Sequence, residues 1–95
     1  MNEDNTVIRN EERNRYEITV DGDVAGFIDF REGEGYMDFV HTEVKENFSG
    51  QGLAGQLTKG AVSDAVSTGA MVKPTCTYVA KWFQKHPEFR EYVAD

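Results

Sequence analysis

Only one cysteine, Cys76, stands in this chain, so no intrachain disulfide can form and the fold rests on its core alone. Prolines number 2, at Pro74 and Pro87, and no apolar run approaches the ~20 residues of a membrane-spanning helix. Cations are scarce as well: 10 Lys and Arg against 17 Asp and Glu leave a formal net charge of −7. Clusters of Lys and Arg able to neutralise nucleic-acid phosphates or anionic headgroups are missing, so neither nucleic acid nor a membrane is expected as a partner. An acidic surface suits a cationic partner such as an amine, besides serving solubility. The 2 histidines, the cysteine and the scattered carboxylates show no metal-ligand spacing, and no metal is expected. The opening Met1-Asn-Glu-Asp-Asn-Thr6 is polar and acidic where a secretory signal is basic and then apolar, which points to a cytoplasmic protein.

What is present is the make-up of an ordinary soluble globular protein. With 95 residues, 39% hydrophobic and 28% charged, the chain has room for one domain over residues 1–95 with a modest core, its residues 1–6 flexible. Thr6 to Asn10 reads as a short strand before the charged turn Glu11 to Asn14. Tyr16, Ile18 and Val20 then alternate with Arg15, Glu17 and Thr19, and Asp21-Gly22-Asp23 turns the chain into a second apolar strand, Val24 to Phe30. After the turn Glu32 to Gly35, a further strand runs from Tyr36 to Val44, giving an antiparallel meander. From Leu53 the period becomes helical: Leu53, Ala54, Leu57, Ala61, Ala65 and Val66 share a face of small residues, and Gly69 ends the helix. A short strand over Ala70 to Cys76 and a second helix over Thr77 to His86, burying Val79, Trp82 and Phe83 and stopped by Pro87, complete the pattern.

The most informative run is Val40 to Leu57, where a strand breaks into a glycine-rich turn that opens directly into a helix. Gly50, Gly52 and Gly55 let the backbone turn tightly and present bare N–H groups, while the helix adds the positive end of its dipole. This is an anion site, and a nucleotide-bearing cofactor is the expected ligand. The spacing Gly50-x-Gly52-x-x-Gly55 matches the dinucleotide fingerprint, but the region about 20 positions on reads Gly69-Ala-Met-Val-Lys-Pro74, without the carboxylate that would hold a ribose. A P-loop fails too, because Gln56 and Leu57 follow Gly55 in place of Lys and Ser or Thr.

Taken together, Val40-His-Thr-Glu-Val44, Gly50-Gln-Gly-Leu-Ala54 and Pro74-Thr-Cys-Thr-Tyr78 resemble, in that order, the GCN5-related N-acetyltransferases. The chain is most similar to their small GCN5-like subgroup, which carries a cysteine near the acetyl group, and the resemblance covers residues 7 to 93. It implies an α/β fold: a mostly antiparallel sheet with a splayed strand pair and two main helices, lacking the N-terminal helices of larger relatives. The splay would fall between Tyr36–Val44 and Ala70–Cys76, with Pro74 beside the gap; an ordinary edge strand accounts for Pro74 equally well. It also implies acetyl-CoA as cofactor, with Val44, Asn47, Ser49, Gly50, Gln51, Gly52, Leu53 and Ala54 binding it and the backbone near Val44 polarising the thioester carbonyl. Asn47 departs from the family's usual Gln or Arg three residues before the first glycine and brings no charge to the pyrophosphate.

Four side chains are candidates for chemistry. Cys76, at a strand end and just ahead of a helix, has its thiolate favoured by helix N–H groups, although free cysteine more often packs as a small hydrophobe. His41 and Glu43, two apart on a strand, share one face and either could deprotonate an incoming ammonium, or they belong to a solvated sheet face. Tyr78 matches, imperfectly, the tyrosine that protonates the leaving thiolate in relatives, or it simply packs. Trp82, Phe83 and Phe89 read as core or as cover for the cofactor cleft. Lys81, Lys85 and Arg90 read as a solvated face or as phosphate contacts. The expected activity is acetyl transfer to an amine acceptor, a small molecule or an exposed lysine. A non-catalytic CoA or acyl-CoA binding module is the alternative, and a ligand-free structural domain is the third reading.

Overall fold

The computed structural model describes residues 5–94, so most of the expected flexible segment 1–6 lies outside the described residues. Five strands form one sheet in chain order: β1 (Thr6–Asn10), β2 (Arg15–Val20), β3 (Asp23–Gly33), β4 (Tyr36–Val44) and β5 (Met71–Lys73). The first four are antiparallel neighbours, and β5 runs parallel to β4. Two helices, α1 (Leu53–Ser67) and α2 (Thr77–Lys85), connect and follow β5, and short 3₁₀ turns occupy Glu46–Phe48 and Pro87–Tyr92. Neither turn is visible as a hydrophobic period, because a single turn is too short to show one.

The β2–β3 hairpin closes through Asp21 and Gly22, whose φ values of 52° and 87° are both left-handed, the conformation that matches strand twist in a two-residue turn. β3 extends three residues beyond the expected Phe30. Arg31, Glu32 and Gly33 pair with Asp38, Met37 and Tyr36, so the reversal is confined to Glu34 and Gly35. A bulge between Asp29 and Phe30 leaves Val40 as an extra residue on β4. Before it, Met37 and Phe39 point into the core; after it, Thr42 and Val44 are half-buried while His41 and Glu43 are exposed. The bulge therefore re-aims the end of β4.

α1 lies across one face of the sheet and touches all five strands. Its buried face is Leu53, Leu57, Thr58, Ala61, Val62 and Ala65, which shifts the expected stripe: Ala54 and Val66 are only half-buried, and Thr58 and Val62 take their places. Thr58 is tolerated inside because its hydroxyl donates to the Ala54 carbonyl at 2.8 Å. The small residues allow close approach, and at Gly60 a Cβ would stand 2.8 Å from the Val7 Cβ. Beneath α1, the Tyr16 ring packs against Phe30 and Phe39 at centroid distances of 5.4 and 5.8 Å.

β5 is shorter than the expected Ala70 to Cys76. It pairs with β4 only at Tyr36↔Met71, Met37↔Val72 and Asp38↔Lys73, and stops where Pro74 has no N–H to contribute. A last backbone bond, from the Cys76 N–H to the Phe39 carbonyl at 2.8 Å, precedes the point where the two strands part. Both readings of Pro74 hold, because β5 ends the sheet order and also borders the gap. Its far side is covered in part by an isolated bridge from Val72 to Val93.

Candidate active site

Three pieces of backbone converge where β4 leaves β5. The first is the end of β4. The Lys45 N–H donates to the Ala25 carbonyl of β3 at 2.8 Å, so by strand alternation the amides of Val44 and Thr42 turn to the opposite side, toward α2. No described strand pairs with that side of β4 beyond Asp38. The result is an unpaired strand edge aimed into a cleft.

Second is the turn into α1. Ser49 is tied back to the Glu46 carbonyl by its amide at 3.1 Å and its hydroxyl at 2.9 Å. Gly50 and Gly52 adopt φ of 82° and 72°, and the open space beside each would be entered by a Cβ. Gly52 is the N-cap of α1 and supplies no side-chain cap, and no acidic residue stands in the first turn, despite the 17 carboxylates of the chain. The first intrahelical bond is Gln56 N–H to the Gly52 carbonyl, so the amides of Leu53, Ala54 and Gly55 have no intrahelical partner. In an acidic chain, leaving the positive end of a 15-residue helix without a carboxylate keeps it free for an external anion. Asn47, Gln51 and Gly50 are exposed around this turn, and Leu53 anchors it in the core.

Third is the start of α2, where Cys76 is the N-cap. Its sulfur lies 3.4 Å from the Thr42 hydroxyl across the gap. Burial pushes the thiol pKa up, but the Thr42 hydroxyl and the amides of Val79, Tyr78 and Thr42 favour the thiolate and bring it below its ordinary 9.0. Thr42 was not singled out from the sequence. Its place between His41 and Glu43 was the available signal, since alternation puts it on the face opposite to theirs.

His41 and Glu43 do share a face, with Nε2 and Oε1 3.2 Å apart and both side chains more than half exposed. That face is the outer side of the sheet, away from α1, and the Phe27 ring lies 6.1 Å from the imidazole. The cysteine and the His41–Glu43 pair thus stand on opposite sides of the end of β4. Tyr78, the second residue of α2, stands beside α1, its hydroxyl 3.8 Å from where a Gly55 Cβ would be, and partial burial raises its pKa above 10.0. Trp82 and Phe83 are core residues, and Phe89 packs against the core partly buried. Trp82 also lines a cavity of about 230 Å³ with Gly55, Tyr78, Lys81, Lys85 and His86. Among the described residues no group of His, Cys, Asp and Glu is arranged to hold a metal, and no helix is long and apolar enough to cross a membrane.

The chain resembles known proteins. Protein NATD1 of Xenopus tropicalis is 34% identical over 55 residues, covering 58% of this chain and 50% of that protein. For Homo sapiens NATD1 the identity is 33% over 55 residues, covering 58% and 49%. The chain therefore spans about half the length of these relatives. NATD1 of Danio rerio aligns more broadly, 29% identical over 91 residues and covering 92% of this chain and 83% of its own. A GCN5-like protein of Staphylococcus aureus, solved in solution by NMR, superposes with a TM-score of 0.71 at 18% identity, covering 98% of this chain and 91% of its own, which shows a shared fold. The profile of the GCN5-related N-acetyl-transferase family matches residues 15–92, and the chain belongs to that family.

Proposed function

We propose that this protein transfers the acetyl group of acetyl-CoA to an amine acceptor, either a small amine or an exposed lysine side chain. The observation that carries the reading is the unpaired edge of β4 facing the gap left by the three-residue β5, beside the uncapped start of α1. An extended pantetheine arm with its amide groups fits such an edge, and a pyrophosphate fits three unpartnered helix amides. Acetyl-CoA supplies an activated thioester whose acetyl group is ready for transfer.

The chain's own groups then divide the work. The amides of Leu53, Ala54 and Gly55 hold the pyrophosphate, with Ser49, Gly50, Gln51 and Gly52 shaping the turn around it and Asn47 at its rim. The Val44 N–H, turned into the gap, donates to the thioester carbonyl and withdraws charge from it. The amine enters from the outer face of the sheet, where His41 and Glu43 take its proton and leave a lone pair free to attack. The new C–N bond forms as the C–S bond breaks; Tyr78, its pKa raised by partial burial, gives its proton to the departing sulfur, and the second proton that the nitrogen sheds on becoming an amide returns to the tyrosine. Cys76 borders the acetyl group from α2; a second route, in which its thiolate accepts the acetyl group before the amine, uses the same gap.

The test is a transfer assay with labelled acetyl-CoA against a polyamine, free lysine and a lysine-rich peptide, together with intact mass of the protein. Acetylated acceptor above the uncatalysed background supports the reading, and an acetyl adduct lost in Cys76→Ala assigns the covalent route. Tight binding of acetyl-CoA with every acceptor left unmodified would make the protein a CoA-binding module.

A further inference from the structure

The groove between α1 and α2 holds a charge arrangement that acetyl transfer itself does not use. Lys81 and Lys85 are four residues apart and so lie on one face of α2, one helical turn from each other. Both line the cavity of about 230 Å³ whose opposite wall is Gly55 in the first turn of α1. Among the described residues neither lysine has an ion-pair partner, whereas Arg9 pairs with Glu11 and Glu32, and Arg15 with Asp29. Two like charges at this spacing repel each other, and in a chain with 17 carboxylates and 10 cations they are simple to neutralise. Instead they converge on a groove. Its floor is flat and aromatic: the Trp82 indole and the His86 imidazole stack at 4.1 Å and 15°.

The cavity is smaller than the ~300 Å³ at which whole-ligand pockets begin, so it suits one portion of a larger molecule. It also opens beside the amides of the glycine turn, which account for a pyrophosphate but not for a further phosphate. We propose that Lys81 and Lys85 form a distinct subsite for the 3′-phosphate on the ribose of coenzyme A, so that the protein selects 3′-phosphorylated CoA over its dephospho form. This rests on the acetyl-CoA reading and adds to it the group by which the cofactor is told from other adenine nucleotides. The turn amides serve the pyrophosphate from one wall, and the two ammonium groups serve the ribose phosphate from the other.

Calorimetric titration of the full chain with CoA and with 3′-dephospho-CoA, at low and at physiological salt, tests the assignment. The wild type is expected to bind CoA about 10-fold more tightly than the dephospho form, a difference that narrows as salt screens the lysines. The double variant Lys81→Gln/Lys85→Gln should bind the two ligands within about 2-fold of each other, while its affinity for 3′-dephospho-CoA stays that of the wild type. Lys81→Arg/Lys85→Arg should restore the preference. Equal wild-type affinity for both ligands would overturn the subsite and leave the acetyl-CoA reading standing. A preference that survives in the double glutamine variant would overturn it as well, by placing the phosphate elsewhere. If neither ligand binds the wild type, both readings fall together.

Discussion

The Cys76 sulfur and the Thr42 hydroxyl face each other at 3.4 Å across the line where β4 and β5 separate. Because Thr42 and the helix amides together outweigh burial, the thiol ionises below its ordinary 9.0. Replacing Thr42 by Val keeps the shape and removes the hydroxyl donor while the burial remains. The rate of alkylation by iodoacetamide, followed against pH, should therefore show a midpoint below 9 in the wild type and a higher one in Thr42→Val. Identical midpoints would mean that the hydroxyl has no hold on the thiolate.

The opposed placement of Cys76 and the His41–Glu43 pair makes a prediction about division of labour. If the amine approaches from the outer face, His41→Ala/Glu43→Gln removes proton acceptance without touching the cofactor cleft. Its kcat for acetyl transfer should fall by about 100-fold or more, with acetyl-CoA affinity unchanged. A fall in affinity with kcat preserved would place the pair in the wrong role.

Gly52 joins the turn to α1 with φ of 72°, in a conformation that costs an alanine ~1 kcal/mol. Gly52→Ala should lower stability to denaturant by about that amount and should weaken acetyl-CoA binding more than the stability loss accounts for, since the new methyl enters the space beside the uncapped amides. Binding equal to that of the wild type would show that the phosphates lie elsewhere.

Tyr16 offers a stability test independent of function. Its hydroxyl donates to Asp64 at 2.7 Å from a ring with no solvent exposure, and burial together with that carboxylate raises its pKa well above 10.0. The unfolded chain releases this proton near pH ~10 and the folded chain holds it, so the stabilisation is complete below that pH and drains away as pH rises toward the folded value. Tyr16→Phe should cost about 1–2 kcal/mol at neutral pH and should flatten the alkaline loss of stability relative to the wild type. Parallel alkaline profiles for the two proteins would contradict this.

Most of the fold was legible because the signals were periodic. Alternation at Tyr16 and Ile18, the Asp21-Gly22 turn, and the helical stripe from Leu53 to Ala65 all mark elements that the structure contains. Misreadings came where one residue outweighed the pattern. Pro74 cut β5 to three residues, and Gly33, which looks like turn chemistry, is the last paired residue of β3. Glu17 alternates as a solvent residue yet is nearly buried on the outer face of the sheet, within 3.3 Å of the Asn10 amide. At the site, the glycine turn could be found from composition and order. For Thr42, alternation gave only its face; its importance comes from its partnership with Cys76, 34 residues on at the start of α2, and from the Val40 bulge that re-aims the end of β4.

The central claim is that the gap beside β4 and the start of α1 form one acetyl-CoA site. Its most direct test is a calorimetric titration of the purified chain with acetyl-CoA, run beside NADH and ATP. Saturable binding of acetyl-CoA, with little or none of the other two, is the expected result. Absence of acetyl-CoA binding, or equal binding of all three, would contradict the account and reduce the glycine turn to ordinary strand-to-helix architecture.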